Sequence, residues 1–109
     1  MATNYKVLGQ ADPSAGIMTS VYTCPTATNT VIANICVTNI TSSVDHYRIA
    51  VRPNGATLEN KHYIVFDASI DFYSYEFLTM PVTLSAGDVV DVYCLNGNLI
   101  FNIFGSEIS

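Results

Sequence analysis

Hydrophobic and polar residues alternate along segment 45–52 of the chain. Tyr47, Ile49 and Val51 fall on one side, and the other side carries His46, Arg48, Ala50 and Arg52. This two-residue period is typical of a strand with one buried face. The polar turn Arg52-Pro53-Asn54-Gly55 follows, and a second apolar arm runs over 62–66. Because proline and glycine favour chain reversal, the pattern predicts two strands joined by a turn, with one face in the core and the other facing water or a partner.

Turn residues interrupt the rest of the chain at short intervals, and no stretch has a sustained helical period. The pattern predicts further strands over 4–10, 17–23, 30–39, 75–78, 89–95 and 99–104. We expect strand 30–39 to be central, with Val31, Ala33, Ile35 and Val37 on one face and Ile32, Asn34, Cys36 and Thr38 on the other. We also expect it to turn straight back through 40–44 and pair with 45–52.

The last two predicted strands flank Asn96-Gly97-Asn98, whose Asn-Gly step is a hairpin signal. The final strand has apolar residues on both sides, which predicts that both of its faces are buried. About eight short strands of this kind fit an all-β fold of two antiparallel sheets, a sandwich or jelly roll, better than an open sheet. A length of 109 residues allows one domain, spanning 1–109.

Composition adds that the chain is unusually poor in charge. Hydrophobic residues make up 50% of it and charged residues only 12%, against about a quarter in ordinary soluble domains. We therefore expect some apolar surface to be covered by another chain, the alternative being a monomer coated with Ser, Thr and Asn. A net charge of −5 disfavours nucleic acid as a partner. The first residues, MATNYKVLGQ, predict neither a signal peptide nor a membrane span, and three cysteines without close pairing predict free thiols.

No pattern in the sequence carries catalytic chemistry. There is no nucleophile elbow, no glycine-rich phosphate loop and no Cys-His signature, so we predict that the chain is not an enzyme and uses no cofactor. His46 and His62 lack the spacing of a metal site, and we predict no bound metal. Asp67, Asp71 and Glu76 are close in sequence, but closeness alone is weak support for a glycosidase pair.

Charged and aromatic residues supply six candidates for contacts with partners: Arg48, Arg52, Phe72, Tyr73, Tyr75 and Phe104. The two arginines share a strand face, which His46, Lys61 and His62 would extend. Either the arginines contact acidic residues of a neighbour or an anionic sugar, or they are solvated and pair within the chain with Asp45, Asp67 or Glu59. The aromatic residues clustered over 63–77 either pack in the core or an interface, which we favour, or stack on sugar rings. Phe72 and Tyr73 fall in a predicted loop and are expected to be exposed.

Several segments together, above all YRIAVRPNGATLENKHYIVFD with VIANICVTN, LSAGDVVDVY and LIFNIFG, resemble small β-sandwich virion structural proteins of tailed bacteriophages, including cyanophages. The resemblance covers nearly the whole chain and is most specific at RIAVRP and NKHY. The stretch 70–77, IDFYSYEF, departs from it, because these proteins are usually polar and Thr-rich there.

The resemblance implies a virion component without catalytic activity, assembled in the host cytoplasm. It is expected to bind copies of itself, as a homo-oligomer, and other virion proteins such as the major capsid or tail proteins. Capsid decoration or cementing and a small tail-associated adaptor are the leading roles. The alternative is a receptor- or carbohydrate-binding module of a tail fibre, with a host glycan as its partner.

Overall fold

The computed structural model describes residues 2–109, which form nine antiparallel strands in two facing sheets. The strands are β1 (Thr3–Ala11), β2 (Thr19–Thr23), β3 (Asn29–Asn39), β4 (Asp45–Arg52), β5 (Tyr63–Ile70), β6 (Tyr75–Leu78), β7 (Val82–Leu84), β8 (Val89–Cys94) and β9 (Leu99–Ile108). Short 3-10 turns lie at Pro53–Gly55 and Asn60–His62. The all-β, two-sheet prediction is confirmed.

The strand order is that of a jelly roll. One sheet has the order β1-β9-β3-β6, with β7 also paired to β3, and the other has the order β2-β8-β4-β5. β6 and β7 pair with successive parts of β3 and act as one strand interrupted near Pro81, which lacks the N–H that a sheet requires. Apart from the β6/β7 break and the β4–β5 pair, consecutive strands lie in opposite sheets.

The core lies between the sheets and is filled by the inward side of each strand. Its largest fully buried members include Tyr47 and Phe101, whose rings meet edge to face with centroids 6.1 Å apart. Such contacts add to the free energy gained from burying both rings. The three cysteines carry free thiols, as expected, and Cys36 is the only one of them that is not buried.

Two predicted connections are wrong. β3 does not turn back to pair with β4, and the Asn96-Gly97-Asn98 turn does not join a hairpin, because in both cases the two strands lie in opposite sheets. Both edges of β3 are already occupied, one by β9 and the other by β6 and β7, while β8 lies between β2 and β4. The turns reverse the chain as expected, but they carry it across the core instead of along one sheet.

The predicted faces of β3 are also partly wrong. A bulge between Ile32 and Asn34 breaks the two-residue period, so Ile32 shares the buried side with Ile35 and Val37. Across from the bulge, β9 carries Gly105, where a Cβ would lie 2.1 Å from the Val31 carbonyl oxygen. The close approach of the two backbones therefore requires glycine. The outer side of β9 is half-exposed in the single chain, contrary to the expectation that both of its faces are buried.

The β4–β5 pair predicted from the sequence is confirmed, and β5 continues further than expected, to Ile70. Asn54 and Gly55 adopt the left-handed backbone expected of this turn, with φ of 52° and 67°. The Asn54 N–H donates to the carboxylate of Asp88, at 2.8 Å, in the turn before β8. This bond joins the turn after β4 to the turn before β8 at one end of the sandwich.

Candidate interaction surfaces

The strands place their charged side chains very unevenly on the two outer faces of the sandwich. The outer face of the five-stranded sheet, here called the uncharged face, contains no Lys, Arg, Asp or Glu among the strand positions of residues 2–109. Its members follow from the pairing of β9 with β1 and β3 and of β3 with β6 and β7: Thr3, Tyr5, Val7, Gln10, Asn29, Val31, Asn34, Cys36, Thr38, Tyr75, Phe77, Thr83, Ile100, Asn102, Phe104, Ser106 and Ile108.

Aromatic rings run across the middle of the uncharged face. Phe77 and Phe104 stack with centroids 6.3 Å apart and planes 4° from parallel. Val7 pairs with Phe104 on the next strand, and Tyr75 lies two residues from Phe77. Tyr75 is 71% exposed, Phe77 54% and Val7 48%. This is a contiguous apolar strip in open contact with solvent, unlike the scattered exposed side chains of an ordinary surface.

The acidic side chains of these strands point to the other side. Glu76 accepts a hydrogen bond from the hydroxyl of the buried Tyr47 at 3.0 Å. Glu107 accepts hydrogen bonds from the Tyr22 hydroxyl and from Lys6, the latter at 3.1 Å. The Tyr22 hydrogen bond and then the Lys6 ammonium lower the pKa of Glu107 below its usual value. Burial, with the neighbouring carboxylate, raises the pKa of Tyr22 and of Tyr47.

The outer face of the four-stranded sheet, here called the charged face, carries both predicted arginines. The Nε of Arg52 donates to the Asp91 carboxylate at 2.7 Å, and its Nη1 donates to the carbonyls of Gly55 and Ala56. Asp91 also accepts from the Ser20 hydroxyl at 2.8 Å. Arg52 thus holds the turn after β4 against β8. It pairs within the chain, but with Asp91, which was not among the acidic residues expected from the sequence.

Arg48 pairs with an acidic residue and lies over two aromatic rings. Its Nε and Nη2 donate to the two oxygens of Asp67 at 2.6 and 3.2 Å, a bidentate pair. The guanidinium carbon lies 4.2 Å from the ring centroid of Phe66 and 4.6 Å from that of Tyr93, both within cation-π range. The arginine and aspartate fix each other's charge, since the pKa of Asp67 is lowered by Arg48 and that of Arg48 is raised by Asp67.

Beside Arg48 the surface has a depression of about 400 Å³ lined by Asn60, Tyr63 and Phe66. The rings of Tyr63 and Phe66 meet edge to face, with centroids 4.9 Å apart and planes at 83°. Phe66 is 57% exposed although one of its faces covers Arg48. The depression therefore combines a rigid aromatic wall with a polar amide.

The loop between β5 and β6 displays Phe72 and Tyr73 at an end of the sandwich. Both side chains are exposed, as expected, and their rings meet edge to face with centroids 6.5 Å apart. Tyr73 has a left-handed backbone, with φ of 49°, and its N–H donates to the Thr41 carbonyl at 3.0 Å. A non-glycine residue in this conformation is held there by its surroundings, so the backbone that carries the two rings has a defined conformation at Tyr73.

The six predicted contact residues thus fall into three groups. Tyr75 and Phe104 lie on the uncharged face, Arg48 and Arg52 on the opposite face, and Phe72 and Tyr73 on a loop at one end. None of the aromatic residues over 63–77 is buried, which rules out packing in the core, while packing in an interface and stacking on sugar rings both stay predictions. His62 does not extend the arginine strip, since it is buried and its Nδ1 accepts from the Glu59 N–H at 3.0 Å.

Sequence reasoning missed Phe77, Val7 and Tyr5 as exposed members of one face. The absence of charge on this face was also missed, because it becomes visible only once β1, β3, β6 and β9 are known to be neighbours. Reading each strand with period two and asking which side lacks charge would have found part of the signal. Asn60 and Tyr93 carried no signal of their own.

No group of three or more His, Cys, Asp or Glu side chains within residues 2–109 is arranged to hold a metal ion. No helix in that range is long and apolar enough to span a bilayer. No protein-family model matches the chain, and no curated protein matches it in sequence.

Proposed function

We propose that this chain is a non-enzymatic structural protein of a phage virion that assembles through its uncharged face. It contacts copies of itself and neighbouring virion proteins such as the major capsid or tail proteins, as a capsid decoration or cement protein or a small tail-associated adaptor. The observation that carries the proposal is a whole sheet face without charge and with an exposed aromatic strip at its centre.

Desolvation favours this face over the rest of the surface. Burying Phe77, Phe104 and Tyr75 removes apolar area from water, which is the main driving force for association. The polar side chains around them are amides and hydroxyls, which can pair with a partner at far smaller desolvation cost than a carboxylate or ammonium group. On the opposite face, a partner would have to cover Arg48, Arg52, Asp67 and Asp91.

Size is sufficient for a stable contact. The molecule measures 45 × 28 × 19 Å, and the shortest of these dimensions fits the thickness of two stacked sheets. An elliptical face with axes of 45 and 28 Å has a footprint of roughly 1,000 Å², against the roughly 800 Å² per partner that a standard protein interface buries. Most of the uncharged face would therefore be covered in such a contact.

Electrostatics favour a second copy as one occupant. Each chain carries a net charge of −5, so two copies repel each other in most orientations. Contact through the uncharged faces leaves the two charged faces on opposite sides of the pair, separated by more than one sandwich thickness of 19 Å. At physiological ionic strength, screening acts over about 8 Å. The two charged faces then hardly interact, and a self-complementary contact about a two-fold axis becomes favourable.

A virion role is supported by the resemblance of segments such as YRIAVRP and NKHYIVFD to phage virion proteins. The jelly-roll order adds an analogy, since viral capsid proteins and lectins both use this architecture. A decoration or adaptor protein acts by binding its neighbours, so an apolar face that is exposed in the isolated chain and buried on assembly suits this role.

Sedimentation equilibrium of the purified chain tests the contact surface. We expect wild type to associate at micromolar concentration, and Phe77→Lys to shift it to monomer by placing a charge inside the contact. Phe72→Lys is the matched control, because Phe72 and Phe77 are both 54% exposed and Phe72 lies on the loop instead of the sheet. A wild type that stays monomeric, or an equal response of the two variants, contradicts the proposed surface.

Mass spectrometry of purified phage particles whose genome encodes the chain tests the virion role separately. We expect the chain in washed, intact particles at a constant ratio to the major capsid or tail protein. Its absence from particles, with presence only in the infected-cell lysate, contradicts the virion role whatever the association state of the purified chain.

A further inference from the structure

The depression on the charged face is a candidate for a second kind of contact, one with a small ligand. It lies on the sheet opposite the uncharged face, so a ligand could bind there while the uncharged face is covered. Its volume of about 400 Å³ falls within the roughly 300–1,000 Å³ range of small-molecule sites. It is lined by an amide and two aromatic rings, of Asn60, Tyr63 and Phe66.

The aromatic wall of the depression is held in place before any ligand arrives. Arg48 fixes the ring of Phe66 from one side at 4.2 Å, and Tyr63 meets that ring edge to face at 4.9 Å. Asp67 in turn fixes Arg48 through two hydrogen bonds. Side chains that are already ordered lose little conformational entropy on binding. Phe66 nevertheless remains 57% exposed, so part of its ring is free to be covered by a ligand.

The charge balance around Arg48 indicates which ligand fits. The cation is bonded through two of its nitrogens to Asp67, and its central carbon lies over the rings of Phe66 and Tyr93. An anionic ligand would have to compete with Asp67 for the guanidinium. Glu59 adjoins Asn60 in sequence, and the whole chain carries a net charge of −5, so phosphates and anionic sugars are further disfavoured. The depression is therefore suited to a ligand without charge.

We propose that the depression lined by Asn60, Tyr63 and Phe66 binds a sugar ring of a neutral glycan. The apolar C–H face of the sugar packs on the exposed part of Phe66. Its hydroxyls exchange hydrogen bonds with the Asn60 amide, which offers both donors and an acceptor, and with the phenol of Tyr63. This proposal does not depend on the virion role, and it differs in site and in sugar class from the alternative in which Arg48 and Arg52 contact an anionic sugar.

Amide-resolved NMR titration of the full chain tests the site with defined probes. The neutral probes are maltohexaose, cellohexaose, mannohexaose and the fully N-acetylated chitohexaose, and the anionic probes are 3′-sialyllactose and a hexameric oligogalacturonate. We expect at least one neutral probe to shift the amides of Asn60, Tyr63 and Phe66 with a Kd on the order of 1 mM, as suits a small, open site. The anionic probes should leave these amides unchanged.

Two variants separate this site from the other exposed aromatic residues. Phe66→Leu keeps an apolar side chain but removes the ring, and we expect it to weaken binding about two- to tenfold, the loss of one aromatic contact. Phe72→Leu is the matched control, because Phe72 is exposed to nearly the same degree, 54% against 57%. Should Phe66→Leu lose its dispersed spectrum, Asn60→Ala in the exposed turn before β5 provides the same test through the amide.

Three results would overturn the proposal. One is that no neutral probe shifts the β5 amides at 20 mM. Another is that shifts centre on Phe72 and Tyr73, with Phe72→Leu reducing them more than Phe66→Leu does. The third is that only the anionic probes bind at this site.

Discussion

Asp45→Ala should be among the most destabilising single substitutions that leave the core untouched. Asp45 is fully buried at the start of β4, and its carboxylate accepts three backbone N–H donors. These come from His46 at 2.7 Å, Asn96 at 2.9 Å and Asn98 at 3.1 Å. Two of the donors belong to the turn that carries the chain from β8 in one sheet to β9 in the other. The carboxylate therefore fixes a crossing between the two sheets.

The magnitude follows from these three bonds. A hydrogen bond to a charged group contributes about 1.5–3 kcal/mol, so their loss alone would cost at least about 4.5 kcal/mol. Removing a buried carboxylate also removes its desolvation penalty, and water can reach part of the turn, so we expect a net loss of about 3 kcal/mol. Asp45→Asn keeps one acceptor oxygen for part of the set and should lose about half as much.

Urea unfolding followed by far-UV circular dichroism measures the difference, at one low protein concentration because association would add to the apparent stability. Asp12→Ala, at an exposed aspartate, is the control and should stay within about 0.5 kcal/mol of wild type. Hydrogen exchange should speed up at the amides of Asn96 and Asn98 in Asp45→Ala. A loss below about 1 kcal/mol, or unchanged exchange at these two amides, would refute the reasoning.

Three further predictions concern the interior. Gly105→Ala should cost more than the usual 1–3 kcal/mol of overpacking, because its Cβ would meet backbone at 2.1 Å; thermal melting near that of wild type would contradict this. Stability should fall as the pH drops below about 4.5. Because folding lowers the pKa of Glu107, its carboxylate contributes stability above the pKa of the unfolded chain, and this contribution is lost as the pH falls through the pKa of the folded chain. Glu107→Gln should therefore make the free energy of unfolding, measured by urea titration, depend less on pH in this acidic range. Stability should also fall above about pH 10. The raised pKa of Tyr22 contributes stability that is complete below the unfolded value of 10.0 and is lost as the pH rises toward the folded value; Tyr22→Phe should reduce the alkaline loss, and an identical loss in that variant would be contrary evidence.

Local pattern in the sequence was enough to predict the β4–β5 pair and eight of the nine strands within residues 2–109, all except the short β7. Alternation over 45–52 identified the buried side of β4, and Pro53, Asn54 and Gly55 identified the turn, because both signals act within a few residues. It was not enough to predict which strands become neighbours. The Asn-Gly step reverses the chain whether the next strand joins the same sheet or the opposite one, and that choice depends on edges filled by distant strands.

The candidate surfaces show the same division. Exposure of Phe72 and Tyr73 was predictable from their place in a loop. The aromatic strip was not predictable, because Phe77 and Phe104 are 27 positions apart in sequence. Their rings come together only because β6 and β9 both pair with β3. Likewise, the pairing of Arg52 with Asp91 requires β4 and β8 to be neighbours. Contacts between strands that are distant in sequence can be predicted only once the order of the strands in each sheet is known.

Hydroxyl-radical footprinting with mass spectrometry tests most directly whether the uncharged face is the contact surface. Oxidation of single residues is compared between the dilute chain and the assembled state, either the concentrated chain or the intact particle. The account predicts strong protection of Tyr75 and Phe77 on assembly, while Phe66 and Tyr73, which are exposed elsewhere on the molecule, react as before. Unchanged oxidation of Tyr75 and Phe77 in the assembled state, or protection centred on Phe66, would contradict it.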